Sequence, residues 1–247
     1  MKVLDIEQGS DIWHARRRCT ITGSKLDNVM GTDLARVQQI AELIAEEATE
    51  QSKIVRATAE MERGNEEEEF ALNLFERQTG KKLVRGGMWV SDENDWHANS
   101  PDASIVDENG DITEACEVKN PDTKTVMFYR LTNIVGMEEL NLGTWLKPTK
   151  DRVEPEFKPS AKNPFIGIPA DYKWQCVNYF LVNEKLQKLH FLVHDARIIN
   201  DDAKLYIVTI DRDNEILQEA MAEAKITLAK FRSDWLKWKE MILPTEF

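Results

Sequence analysis

Asn99-Ser100-Pro101-Asp102, followed after 14 residues by Glu117-Val118-Lys119, is the stretch on which the fold turns. The run Ala115-Cys116-Glu117-Val118-Lys119 is small or apolar apart from one acid and one base two positions apart. Side chains alternate across a strand, so the run predicts Glu117 and Lys119 on one face and Cys116 and Val118 on the other, one face chemical and one packed. The turn residues Asp107-Glu108-Asn109-Gly110-Asp111 separate it from the apolar run 103–106, which predicts a hairpin carrying Asp102 to the chemical face. Two carboxylates and a cation then converge, and hard oxygen donors beside a lysine suit Mg²⁺ next to a phosphate. In such a site the lysine orients or deprotonates the attacking water and offsets charge on the phosphate oxygens. The plainer alternative for Glu117 and Lys119 is an ion pair on a solvated strand edge. A second triplet of this type, Asp122-Thr123-Lys124, follows Asn120-Pro121 and belongs to a turn.

Working outward, the chain has 247 residues, 42% hydrophobic and 31% charged, with 11 Gly and 8 Pro, enough to bury a full core and unlike a low-complexity polymer. No apolar run approaches the roughly 20 residues that span a bilayer, and the opening carries charges where a secretion signal is apolar. Membrane and export roles are therefore not expected. The three cysteines, Cys19, Cys116 and Cys176, are odd in number and widely spaced, which argues against a disulfide framework or zinc ribbon and fits a reducing cytoplasm. With 44 Asp and Glu against 32 Lys and Arg, the net charge is −12, whereas a protein that coats nucleic acid through a broad basic face is normally basic, so any nucleic-acid contact is expected to be local.

The remaining pattern predicts a single domain over 1–247: a helical part at about 1–80, a core at about 81–212 and a closing helix at about 213–247. Basic Arg16-Arg17-Arg18 precedes Thr20-Ile21-Thr22-Gly23-Ser24, whose hydroxyls suit a turn and a helix N-cap. Leu34, Val37, Ile40, Leu43 and Ile44 predict an amphipathic helix over 33–50, and a second helix runs from near 62 to Thr79-Gly80. Strands are expected at 82–90, 103–106 and 112–119, antiparallel-leaning, and at 189–193 and 205–210. Helices are expected near 125–140, at 171–182 and at 213–241, and the proline-rich stretch 143–170 is a long loop.

Two further candidates stand outside the strand pair. Glu68 follows Arg63-Gly64 at a helix start and would complete a three-carboxylate pocket, although Glu66 to Glu69 taken as a run suits a solvated face. Gln175 and Tyr179 lie at i and i+4, on one helix face, as site residues or as a surface contact.

Taken in order, Gly-x-x-x-Glu, Pro-Asp, Glu-x-Lys and Gln-x-x-x-Tyr resemble the PD-(D/E)xK nuclease superfamily, in the branch of RecB-type nuclease domains and the phage lambda exonuclease, the YqaJ-like viral recombinases. The opening, Gln8-Gly9, Trp13, Arg16-Arg17 and Ile21-Thr22-Gly23-Ser24, is similar too. The resemblance implies an α/β (α+β) fold, a central mixed sheet flanked by helices with a restriction-endonuclease-like core. It implies metal binding by Asp102, Glu117 and the carbonyl of Val118, with Lys119 as the catalytic lysine and Glu68 and Gln175 beside them; Tyr179 matches the RecB-type tyrosine. Arg17, Ser24 and Ser100, with Thr22 as helper, match the pocket for a strand's 5′-phosphate. The implied cofactor is Mg²⁺, with Mn²⁺ as alternative, and no iron–sulfur cluster is expected from these cysteines. The implied activity is 5′-to-3′ digestion of linear double-stranded DNA to 5′-mononucleotides by a homotrimeric ring, alongside a single-strand-annealing recombinase, in a phage or prophage setting within the bacterial cytoplasm. The gap between Lys119 and Gln175 is longer than in the phage enzyme. Competing expectations are a PD-(D/E)xK endonuclease, a helicase-linked nuclease and a non-catalytic DNA-end-binding protein.

Overall fold

The structure, a computed structural model, describes residues 1–52, 59–131, 134 and 165–243. Strand β1 (Lys2–Leu4) leads to helix α1 (Asp11–Arg17), which starts where the Ser10 hydroxyl accepts the Trp13 N–H at 3.2 Å. Helices α2 (Gly23–Met30) and α3 (Asp33–Thr49) follow, the second capped by Thr32, which accepts the Ala35 N–H at 3.2 Å. As the spacing requires, α3 buries Ile40, Leu43 and Ile44. Helix α4 (Ala59–Thr79) begins three residues before the expected 62 and ends at Gly80, whose φ of 71° only glycine adopts freely.

The segment 82–90 is not the single strand expected. Gly86 and Gly87, at φ 70° and 87°, break it into β2 (Val84–Arg85) and β3 (Met88–Val90), which join different sheets. After them come β4 (Ala98–Asn99), β5 (Ala103–Val106) and β6 (Ile112–Lys119). Asp122 accepts the Thr125 N–H at 3.0 Å and caps α5 (Thr123–Arg130), so Asp122-Thr123-Lys124 starts a helix rather than forming a free turn. The rest of the helix expected over 125–140, apart from 131 and 134, lies outside the described residues, as does 143–164 of the expected loop. A 3₁₀ turn (Ala170–Tyr172) enters α6 (Lys173–Val182), followed by β7 (Lys188–His194), the short α7 (Asp201–Lys204), β8 (Leu205–Asp211) and α8 (Glu215–Ile242), which Asn214 caps.

The main sheet runs β2-β5-β6-β7-β8 and is mixed: β6 and β7 are parallel and the other neighbours antiparallel. A parallel pair needs a crossover, supplied by the segment that contains α5 and α6. A smaller antiparallel sheet, β1-β3-β4, flanks it. Helix α4 covers one face of the main sheet, packing Ala71, Leu72 and Phe75 on Cys116, Val118 and Leu192. Helices α6 and α8 cover the other, with Tyr179, Phe180 and Leu217 in one cluster with Ala115 and Phe191. Each such large side chain contributes about 1.5–3 kcal/mol by leaving water. The far half of α8 carries Leu228, Phe231 and Trp235 onto α2 and α3, tying the N-terminal helices to the same body. All three cysteines are free, and no helix among the described residues is long and apolar enough to cross a membrane.

Candidate active site

Glu117 is 2% exposed, on a strand paired on both sides, so the solvated-edge ion pair does not apply. Its Oε1 accepts from the Lys119 ammonium, the next residue along the same strand face, and from Gln175 Nε2 at 2.6 Å. Its Oε2 accepts the Tyr179 hydroxyl at 2.5 Å. Gln175 and Tyr179 reach one carboxylate because their spacing places both on the side of α6 that packs against β6. They are not a surface contact.

Asp102 stands one residue before β5, which pairs with β6 in the register Ala103 to Cys116, and its Oδ2 accepts the Val118 N–H at 2.6 Å. Burial, then the charges of Glu117 and Glu68, pushes the Asp102 carboxyl well above the usual carboxylate range. Burial and Glu117 likewise raise Glu68, which α4 brings to the same acidic cluster. For Lys119, burial opposes the charge, but Glu117 and Asp102 outweigh it and lift the ammonium above its ordinary range. The Tyr172 ring lies 5.1 Å from its Nζ.

The four residues matched to a phosphate pocket also meet. Ser100 Oγ accepts from Trp13 Nε1 at 3.1 Å and from Arg17 at 3.4 Å. Arg17 donates at 3.3 Å to Thr22 Oγ1, which shares a 3.4 Å hydrogen bond with the exposed Ser24. The guanidinium lies 4.1 Å from the Trp13 ring; burial lowers its pKa to about 10, against the pull of Glu46, so it stays charged at neutral pH. Thr22 occupies the N-cap position of α2 but makes no side-chain cap bond. Its hydroxyl is turned to Arg17 and Ser24 instead, which corrects the expectation that these hydroxyls serve as ordinary caps.

Two features escaped the sequence. Glu67, within the expected solvated run, is buried; it accepts from Arg63 at 3.0 Å and lies 3.8 Å from His194. Arg63 also donates to the Asn120 carbonyl at 2.8 Å, while the Asn120 side chain donates to the Gly64 carbonyl at 2.8 Å and hydrogen-bonds His194 at 3.0 Å. The chain just past Lys119 is thereby clamped to α4; the i, i+4 spacing of Arg63 and Glu67 was the available signal. Trp13, visible only as part of the opening motif, holds Ser100.

Among the described residues, no group of three His, Cys, Asp or Glu side chains is gathered around one ion position. The donor chemistry nonetheless fits a hard divalent cation. Asp102, partly buried, and Glu117, buried, are carboxylates close enough to raise each other's cost of charge, and the Lys119 ammonium is the positive charge that answers them.

A mixed sheet flanked by helices, with Pro-Asp at the head of one strand and Glu-x-Lys at the end of the next, is the restriction-endonuclease-like core that the PD-(D/E)xK resemblance led us to expect. Residues 12–185 match the YqaJ-like viral recombinase domain, and the chain belongs to that family. Among solved structures, it is similar to an alkaline exonuclease (LHK-Exo) from Laribacter hongkongensis, with 24% identity and a TM-score of 0.64 over 94% of this chain and 98% of that one. The same figures hold for LHK-Exo in complex with dAMP. A phage related exonuclease from Haemophilus somnus 129PT is 15% identical, with a TM-score of 0.52 over 87% of this chain and 96% of that one. These likenesses establish the shared fold. No curated protein matches the chain.

Proposed function

We propose that this chain is a metal-dependent deoxyribonuclease that degrades linear double-stranded DNA from 5′-phosphorylated ends, in the 5′-to-3′ direction, to 5′-mononucleotides. The observation that carries this is the connector after β4: Ser100 lies in the Arg17 pocket, and Asp102, two residues on, lies in the acidic cluster with Glu117. A site for a terminal phosphate is thus next to a site for hydrolysis. Support comes from the family and from similar proteins described as exonucleases, one of them holding dAMP.

Asp102, Glu117 and the Val118 carbonyl would hold Mg²⁺, with Mn²⁺ as the alternative. Such an ion supplies Lewis-acid polarisation of the phosphate and a bound water of lowered pKa. The protein's own groups do the rest. Gln175 and Tyr179 hold both oxygens of Glu117 and so fix its rotamer. Lys119 sets a positive charge where the phosphate oxygens gain negative charge, and Glu68 adds a third carboxylate to the cluster. Arg17 offers a guanidinium fork to a terminal phosphate, with Ser24, Ser100 and Thr22 as short hydroxyl donors. In the cell we assign it to phage-type recombination by single-strand annealing, as a homotrimer partnered by an annealing recombinase in the bacterial cytoplasm.

The test is digestion of uniformly labelled linear duplex with 5′-phosphate or 5′-hydroxyl ends, in Mg²⁺ or EDTA, by wild type and Lys119→Ala, with closed circular DNA alongside. The expected result is Mg²⁺-dependent release of mononucleotides, faster from phosphorylated ends, lost in Lys119→Ala and absent on circles. Cleavage of circles would make the protein an endonuclease, and binding without cleavage a DNA-end-binding protein.

A further inference from the structure

Two links join the phosphate pocket to the acidic cluster: the short connector from Ser100 to Asp102, and the contact of α2 with α6 beside it. Gly23 opens α2 between Thr22 and Ser24, both in the pocket. A Cβ built there would stand 3.0 Å from Gln175 Cγ, 3.2 Å from Asn99 Oδ1 and 3.5 Å from Gln175 Cα. Gln175 cannot simply swing away, because its Nε2 is bonded to Glu117. The missing side chain therefore lets α2 sit directly on α6.

A buried amide completes the junction. Asn178 is 0% exposed, one turn along α6 from Gln175, and its Nδ2 donates to the Ala98 carbonyl at 2.9 Å and to Asn99 Oδ1 at 3.1 Å. Its Oδ1 hydrogen-bonds His97 Nε2 at 2.6 Å. All three of these positions precede Ser100, and the same stretch is tied to the pocket from the other side by Ala98 N–H to Ile21 carbonyl at 2.9 Å. Helix α6, which holds Glu117, the stretch leading to Ser100 and Asp102, and the entry to α2 thus meet at Gly23 and Asn178.

We propose that Gly23 and Asn178 are positioning residues that set the span from the terminal-phosphate pocket to the hydrolytic centre, and that this span is the basis of selection for 5′-phosphorylated ends. A strand whose terminal phosphate fills the Arg17 pocket is held with its first diester over Asp102 and Glu117; one lacking the phosphate is not. The inference rests on the function proposed above.

The variant to measure is Gly23→Ala. Gly23 does not use a positive φ and lies in a helix, where alanine is tolerated, so the substitution strains the spacing rather than the backbone, and its folding is checked by circular dichroism. At 3.0–3.2 Å the added Cβ obliges Gln175 or Asn99 to give by a few tenths of an ångström, a fraction of the ~1 Å displacement that costs on the order of 100-fold in rate. We expect kcat on 5′-phosphorylated duplex to fall about threefold to tenfold with KM little changed, and the ratio of rates on phosphorylated over hydroxyl ends to move towards one. A merely weakened fold would slow both substrates together and leave that ratio where it was. Asn178→Ala, checked for folding by circular dichroism, is expected to lower the ratio likewise. Wild type with a clear preference and Gly23→Ala with the same preference overturns this inference alone. Wild type with no preference, or no cleavage, overturns the proposed function and this inference with it.

Discussion

Asp102 shows how a residue suited to chemistry weakens the fold that holds it. Its folded-state pKa is raised from an ordinary 3.8 by burial and by Glu117 and Glu68, so the folded state binds its proton more tightly than the unfolded chain does. The contribution to stability is thus present below pH 3.8 and is lost as pH rises; Glu68 acts in the same direction. Asp195 has the opposite sign. Burial works against its charge, but Arg197 and Thr123 hold its pKa down to about 2, so its contribution is present above 3.8 and lost as the pH falls towards 2. Asp102→Asn keeps an oxygen for the Val118 N–H and removes the disfavoured charge. In EDTA at pH 8 the variant is expected to melt about 2–4 °C above wild type, the shift that ~1 kcal/mol brings at this size, with a smaller gap at pH 5 and no nuclease activity. A variant that melts below wild type at pH 8 would mean that attraction to Lys119, not repulsion among the acids, governs the site. Tyr179→Phe probes the neighbouring Glu117 carboxylate from outside the donor set. It keeps the ring that packs at 5.8 Å on Trp89 and removes only the hydroxyl on Glu117. Half-maximal Mg²⁺ for digestion is expected to rise about 10-fold, with kcat recovered at saturating metal. An unchanged Mg²⁺ requirement would leave Tyr179 as a packing residue.

At the scale of elements, α4 is the arm that presents Glu68, and the Arg63 clamp fixes its distance from the end of β6. Arg63 makes a charge-assisted pair with Glu67 and donates to the Asn120 carbonyl. Arg63→Ala leaves a buried carboxylate and a carbonyl without that partner, and should cost about 2 kcal/mol in urea unfolding together with a loss of activity that added Mg²⁺ does not restore. A loss of stability with full activity would show that the clamp serves the fold alone. This clamp also marks where the sequence stops being informative. The alternation in β6 is a property of neighbouring residues, so Glu117, Lys119 and the packed faces of Cys116 and Val118 were legible, as was the order of the acids. Glu67 was not: among four consecutive glutamates, which one turns inward is decided by where His194, 127 positions away, lands through the β6–β7 pairing. The break between β2 and β3 was written in Gly86-Gly87, but that the two pieces join different sheets depends on β1 and β5 reaching them from distant parts of the chain. Thr22 looks like a cap by composition, and only the arrival of Arg17 shows that its hydroxyl is engaged elsewhere.

At the scale of the whole molecule, the net charge of −12 sets the problem, since a DNA-degrading protein of that charge repels its substrate over most of its surface. Arg17 and Lys119 are local cations at the two ends of the proposed site and cannot by themselves hold a duplex through repeated cleavage. The homotrimer proposed above would resolve this by topology: a threaded duplex would be retained without a basic face, and an acidic exterior would keep it in the channel. Engaging a free end and continuing along the strand then depend differently on salt. Raising the salt from 50 to 200 mM should reduce the rate of initiation on free ends steeply, as electrostatic association requires, while the tract digested per binding event, measured with a heparin trap added after loading, should change little. Light scattering of the free protein should give three times the chain mass. A monomeric mass, with tract length falling in step with initiation as salt rises, would mean that the protein holds DNA by charge contacts alone and that the ring does not exist.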